Sequence, residues 1–241
     1  SIQLAGVVGD DIFGREMEQL FQQLGVDTSR LISQKEDYDT VVFAKRYLDD
    51  KEQPRIDFGF FNERTEHTDD AIINNLRDLL PTCDALIFNQ QVPGSISASF
   101  IEKANALFQE FNDKIVVLDS RHFGQQFKSI YRKTNDIEAS ELLNISKTDE
   151  TLTPEQLKDM STQLFEQFHK PVFLTLGENG ILTTDANNIK HTPGLLFDSQ
   201  LDTVGAGDTV ISALAAALGA GYESSIAADF ANLAAGVTVQ K

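Results

Sequence analysis

An α/β fold built on a parallel sheet covered on both faces is the class this chain predicts, and three observations carry it. Short apolar runs recur, at "IQLAGVVGDD" (2–11), "DALIFNQ" (84–90), "KIVVLDS" (114–120) and "PVFLTLG" (171–177). Helical stretches separate them, at 68–80, 97–111 and 154–168. Strands that alternate with helices form β-α-β units, whose crossovers place helices on both sheet faces. Such sheets collect ligands beyond the carboxyl ends of their strands, where Asn89, Asp119 and Gly177 fall.

Taken in order, the first run is an apolar strand that ends in a Gly-Asp turn. Met17, Leu20, Phe21 and Leu24 then follow at i, i+3, i+4 and i+7, so 11–24 is an amphipathic helix closed by Gly25. The segment 40–65, "TVVFAKRYLDDKEQPRIDFGFFNERT", departs from this rhythm. Two extended, partly alternating runs flank the polar turn "DDKEQP", which is a hairpin pattern. It reads as a small inserted β lid whose Phe58, Phe60 and Phe61 need cover, or as an edge hairpin of the main sheet.

Composition narrows the function classes. The 241 residues accommodate one substantial domain or two small ones, and we read a single domain over 1–241. A net charge of −17 leaves no basic stripe for nucleic acid. The longest apolar run, Ala213–Leu218, is far short of the ~20 residues that span a bilayer, so no membrane partner is expected. A single cysteine, Cys83, forms no internal disulfide and no CxxC-type metal site. A cytoplasmic enzyme or binding protein is the expectation.

The stretch "LDTVGAGDTVISALAAALGAG" (201–221) carries the chemistry. A helix start leaves N–H groups unpaired and positively polarised, and glycine or alanine lets an anion approach them closely. Gly205, Ala206 and Gly207 therefore suit a phosphate. Asp208 would repel that phosphate unless it takes a proton from an attacking hydroxyl. It also suits a plain cap of a helix over 208–218, and spacing alone leaves both readings open. No cysteine or histidine accompanies the motif, so nothing points to a covalent intermediate.

Asp202–Asp208 followed by Ser212-Ala213-Leu214 closely resembles the C-terminal signature of the PfkB, or ribokinase-like, carbohydrate kinases. Similar segments of that family stand in the same order at "VVGDDIFGREM" (7–17), "TNDIEASELL" (134–143), "LTLGENGILTTD" (174–185) and "FANLAAGVTVQK" (230–241). The resemblance spans essentially the whole chain. It implies a ribokinase-like three-layer α/β/α sandwich with a mainly parallel central sheet and a small β-hairpin lid. Within the family, the 201–221 and 230–241 stretches and the hairpin look most like the branch that phosphorylates C1 of heptose 7-phosphate in lipopolysaccharide-precursor synthesis.

The resemblance also implies roles. Asp208 would be the general base and Gly205, Ala206 and Gly207 the anion hole. Asn135 and Glu138 would hold Mg²⁺ and the ATP phosphates, mostly through water. Thr175, Gly177, Glu178 and Gly180 would line the nucleotide, and Asn232 would face the adenine. On the acceptor side, Asp10, Asp11, Arg46, Arg55 and Asp119 are the candidates for a sugar or its distal phosphate, with Lys45 and Arg121 weaker ones. His122 reads as a loop histidine. An arginine fork matches a phosphate better than a neutral sugar. The hairpin would pair with its copy in a homodimer. Other acceptors such as ribose, fructose or a nucleoside, and a retired nucleotide- or sugar-binding regulator, are the alternatives.

The chain departs from the family pattern in two places. It begins at what looks like the second sheet strand and ends before the usual last one, so the first strand with its Gly-Gly-x-x-Asn sugar motif is expected to lie outside this sequence. "FNQQVPG" (88–94) stands where relatives carry an acidic-aromatic loop with a lysine.

Overall fold

At Gly9 the Tyr38–Thr40 segment approaches so closely that a Cβ would lie 2.7 Å from the Thr40 nitrogen and 2.8 Å from the Tyr38 carbonyl oxygen. The computed structural model that shows this describes residues 1–49, 51–92, 96–145, 152–197 and 201–240. Asp50 of the hairpin turn, Pro93 and Gly94 of the 88–94 stretch, and Lys241 lie outside the described residues. Contacts gather the chain into two units, Ser1–Pro81 with Val92–Leu107, and Thr82–Gln91 with Phe108–Lys241.

In the first unit, β1 (Gln3–Gly9) pairs in parallel with β2 (Asp27–Gln34), and α1 (Ile12–Gln23) connects them. Asp11 starts α1, because its carboxylate accepts the Gly14 N–H at 2.8 Å. The hairpin consists of β3 (Val42–Ala44), β4 (Tyr47–Leu48), β5 (Lys51–Glu52) and β6 (Ile56–Phe58). Val42 faces Phe58, but Tyr47 faces Glu52, so the register slips by one residue between the two ladders. Pro54, which has no N–H for a ladder, lies at the slip. None of these strands joins a larger sheet among the described residues, which removes the edge-hairpin reading. Phe58 meets Phe13 with ring centroids 5.7 Å apart, but Phe61 is 97% exposed and finds no cover. Helix α2 (Glu66–Leu79) is capped by Thr65, which accepts the Thr68 N–H at 3.1 Å.

The second unit is built on a six-stranded sheet. Its elements are β7 (Ala85–Gln90), β8 (Ile115–Ser120), β9 (Tyr131–Asn135), α4 (Asp136–Leu142), α5 (Pro154–Phe168), β10 (Val172–Thr175), β11 (Ile181–Thr184), β12 (Ile189–Thr192), α6 (Ala206–Gly219) and α7 (Ser224–Thr238). Helix α3 (Ala98–Glu110) gives its last turn to this unit. The strand order is β12-β11-β10-β9-β8-β7. Strands β7 to β10 run parallel and β10 to β12 antiparallel. The sheet is thus mainly parallel, as expected, with an antiparallel edge, since a parallel return needs a crossover of about a dozen residues and the turn 176–180 is far shorter.

Alternating residues sort the sheet into two faces. Val117 and Phe173 pack with Val210, Leu214, Ala228 and Ala231 under α6 and α7. Val172, Leu174 and Leu182 pack with Met160, Leu164 and Phe168 under α4 and α5. This is a three-layer sandwich. Alanines explain the composition of 201–221, because α6 is buried on nearly every side, with Ala213, Ala215 and Ala217 inside. Small side chains let α6 approach both α7 and the sheet, and a Cβ at Gly219 would lie 3.1 Å from Ala85.

The crossover 121–130 between parallel strands β8 and β9 contains only one short 3₁₀ turn. Arg132 holds it. Its guanidinium is buried, lies 3.3 Å over the Phe168 ring and donates to the carbonyls of Gly124 (2.5 Å) and Phe127. Burial without a carboxylate partner among the described residues pushes its pKa down to about 9. Arg132→Met keeps the apolar stem but strands two buried carbonyls, at about 1–3 kcal/mol each. Urea unfolding is expected to show a loss of about 2–6 kcal/mol, with faster proteolysis in 121–130.

Candidate active site

Gly205 adopts the left-handed conformation, with φ 81°, that turns the chain into α6. The helix begins at Ala206, so Gly205 rather than Asp208 is the N-cap, and no side chain caps the helix. This corrects the capping reading of Asp208, which lies at the third position of the helix, exposed to solvent. The Ala206 N–H donates to the Thr203 carbonyl at 3.2 Å, while those of Gly207 and Asp208 have no acceptor earlier in the helix. Two ties hold the turn in place. Thr209 donates to the Gly205 carbonyl at 2.9 Å and its hydroxyl lies 3.0 Å from that of Thr238, while the Asp202 N–H donates to the Val239 carbonyl at 3.0 Å.

Lys133 approaches this turn from the sheet. Its ammonium lies 3.4 Å from where a Cβ on Gly207 would stand. On adjacent strands Lys133 and Asp119 are register partners, and they form a 2.9 Å ion pair whose side chains are 9% and 6% exposed. Asp119 is therefore held by Lys133, although the sequence reading placed it with the acceptor.

At the end of β9, Asn135 caps α4. Its Oδ1 accepts the Glu138 N–H at 2.8 Å, and Glu138 Oε2 accepts the Asn135 N–H at 3.0 Å and the Thr134 hydroxyl at 3.3 Å. This capping box accounts for the Asn-x-x-Glu spacing on structural grounds. As a test of fit for Mg²⁺, it engages Asn135 Oδ1 and Glu138 Oε2, and no group of three or more acidic, histidine or cysteine side chains is poised to hold a metal among the described residues. What remains suits a hard cation that keeps its waters. Glu138 also lines a cavity of about 110 Å³ with Arg121, His122 and Glu141.

Thr175, at the end of β10, donates to the Thr134 carbonyl at 3.2 Å. After it, Gly177 (φ 58°) and Gly180 (φ 89°) shape the turn that carries the exposed Glu178. Gly180 and Gly194 pack backbone against backbone. A Cβ on Gly180 would collide with the Thr192 carbonyl, and one on Gly194 with that of Glu178. Asn232 on α7 donates to the Pro193 carbonyl at 2.9 Å.

The other acceptor candidates belong to the first unit. Asp10 pairs with Arg15 at 3.3 Å, Lys45 with Glu52 at 3.3 Å, and Arg46 is exposed. Arg55 is engaged in two hydrogen bonds with Asp57, at 2.5 and 2.8 Å, and stacks 4.4 Å over Phe43. Asp11 spends both oxygens on backbone, one on Gly14 N–H and the other on Thr40 N–H at 2.7 Å.

A helix start bare of side chains, an exposed carboxylate in its first turn and a lysine behind it lie together in an α/β protein. The chain belongs to the pfkB family of carbohydrate kinases, whose family model matches residues 1–241. It is 28% identical over 242 residues to the bifunctional protein HldE of Wolinella succinogenes, and 30% identical over 245 residues to that of Shewanella amazonensis. Both alignments take in all of this chain but only 50% and 48% of the relative, so the chain spans about half the length of these proteins. Phosphofructokinase-2 from Escherichia coli superposes with a TM-score of 0.80 at 17% identity, over 100% of this chain and 76% of that one. A ribokinase from Thermotoga maritima gives 0.74 at 21%, over 99% and 75%. These likenesses establish a ribokinase-like fold.

Lys133, Thr134, Thr209 and Gly194 escaped the sequence reading. The available signal for Lys133 was a lysine two residues before Asn135, on a segment with too few apolar residues to read as a strand.

Burial opposes the charge on Asp11, but the N–H groups of Thr40 and Gly14 outweigh it and hold the carboxyl below its usual range. A lowered folded-state pKa stabilises above the unfolded value, and that stabilisation is lost as pH falls through the folded one. Asp11→Ala is expected to cost about 1–2 kcal/mol in urea unfolding at neutral pH, and the gap should narrow as the pH falls below the ordinary carboxylate value of 3.8.

Proposed function

We propose that this chain is an ATP-dependent kinase that moves a phosphoryl group in line onto a hydroxyl of a sugar or sugar phosphate. The observation that carries the reading is Asp208, exposed in the first turn of α6 and released from capping by Gly205. A carboxylate there weakens anion binding, and beyond a small helix-dipole contact its use is to accept a proton.

In this reading the first-turn N–H groups at Gly205, Ala206 and Gly207 receive the transferring phosphoryl group. Asp208 takes the proton of the acceptor hydroxyl as its oxygen bonds to phosphorus and the bond to the ADP oxygen breaks. Glu138, braced by Asn135, would hold a Mg²⁺ brought with ATP through water, and the ion would supply charge neutralisation to the polyphosphate. Thr175, Gly177, Glu178 and Gly180 line the nucleotide, with Asn232 fixing the 193 segment beside the adenine. Among acceptors, C1 of heptose 7-phosphate is the substrate favoured by the sequence resemblance and by the match to bifunctional HldE proteins. Arg46, which is exposed, and Arg55, whose exposed pair with Asp57 can be exchanged, are the candidates for its distal phosphate.

The exposed side chains Phe43, Tyr47, Leu48, Ile56 and Phe61 support the hairpin as a lid that pairs with its own copy in a cytoplasmic homodimer. Sedimentation of the protein at micromolar concentration should give a dimer and, for Leu48→Asp, a monomer; a monomer in both removes this part of the proposal.

ADP release is to be measured across a panel of sugars and sugar phosphates. Turnover supports the kinase, while saturable ATP binding without turnover means a regulator. Asp208→Asn is expected to lower kcat by roughly 10²–10⁴-fold, with ATP affinity kept. Its stability should change by less than about 1 kcal/mol, because only a helix-dipole contact is lost. Turnover within a few-fold of the parent would remove Asp208 from the chemistry.

A further inference from the structure

Lys133 and Asp119 are two charges shut inside the second unit that the mechanism above does not use. They face each other across β8 and β9 in the row that includes Phe173, on the sheet face covered by α6. A buried ion pair is weak grounds for stability, because desolvation offsets much of its attraction. The position is costly in a second way. The ammonium lies against Gly207, in the positively polarised first turn of α6, where a cation is disfavoured. Asp119 offsets that repulsion but accepts only one of the ammonium's three N–H donors. An anion at the helix start would reverse the balance, attracted by the backbone N–H groups and the ammonium together.

We propose that Lys133 is a catalytic residue, the side-chain cation on the transferring phosphoryl group, and that Asp119 is a positioning residue that holds its ammonium at Gly207. The inference rests on the kinase reading above. Negative charge spreads over the oxygens of the phosphoryl group during transfer, so a fixed cation behind them binds the transition state more tightly than the ground state. Asp119 then has no contact with the acceptor.

The test replaces the pair with apolar side chains, so that no charge is left buried alone. In Lys133→Met/Asp119→Leu the melting temperature should stay within about 5 °C of the parent or rise. By calorimetry, this variant should bind the ATP analogue adenylyl imidodiphosphate with Mg²⁺ at least about tenfold more weakly, with affinity for ADP little changed. With an active acceptor, kcat should fall about 10²-fold or more while KM for the acceptor moves less than about threefold. Asp119→Asn alone should lose less than Lys133→Met, and the two losses in kcat should not add. A stable double variant that binds the analogue and turns over as the parent does overturns the proposal and leaves the kinase reading standing. A parent protein that binds neither nucleotide overturns both.

Discussion

The seam between α6 and α7 determines where the first turn of α6 can lie. Ala213, Ala217, Ala227, Ala228 and Ala231 are all buried, and side chains this small leave little freedom to slide one helix along the other. The hydroxyls of Thr209 and Thr238 and the bond from Asp202 to Val239 close the same seam at its end. An anion site made of backbone N–H groups has no side chain to adjust, so it is only as well placed as the helix that carries it. Lys133, Asn135 and Thr175 come from neighbouring strands whose carboxyl ends share one sheet edge. Parallel pairing puts them there, and alanine packing brings the helix start to them.

Much of this was legible in the sequence where hydrophobic period and chemistry agree. The spans 154–168 and 97–111 coincide with α5 and α3 to within a residue, because their apolar faces are the buried ones. Strand β9 was not legible. It holds buried Arg132 and Thr134 and half-buried Lys133, and their polarity is met by carbonyls 124 and 127, by Asp119 and by Glu138, all remote in sequence or on other elements. Burial of a charge depends on its partners, and a linear pattern does not display partners.

The same limit governed the site. Gly205 to Asp208 could be read as a candidate anion site, the family resemblance supplied the base role for Asp208, and the helix boundary shows that Gly205 is the cap. Asn135 and Glu138 were assigned through the family resemblance, and the structure shows that their spacing builds a capping box. Asp11 and Arg55 carry the right functional groups for a sugar phosphate, yet one is taken up by Thr40 and Gly14 and the other by Asp57.

The contact between Gly180 and Gly194 has a mechanical consequence. Two peptide planes pressed together without side chains form a joint with almost no play, unlike side-chain packing, which yields by changing rotamer. His191 braces it through the Asn179 carbonyl at 2.7 Å. Beyond the joint Leu195 sits on the bare backbone of α7 at Gly236, and Asn232 ties Pro193 to the same helix. The turn after β10 and helix α7 are thereby coupled as lever and fulcrum, so a displacement imposed on Glu178 is delivered to α7 rather than absorbed in a loop.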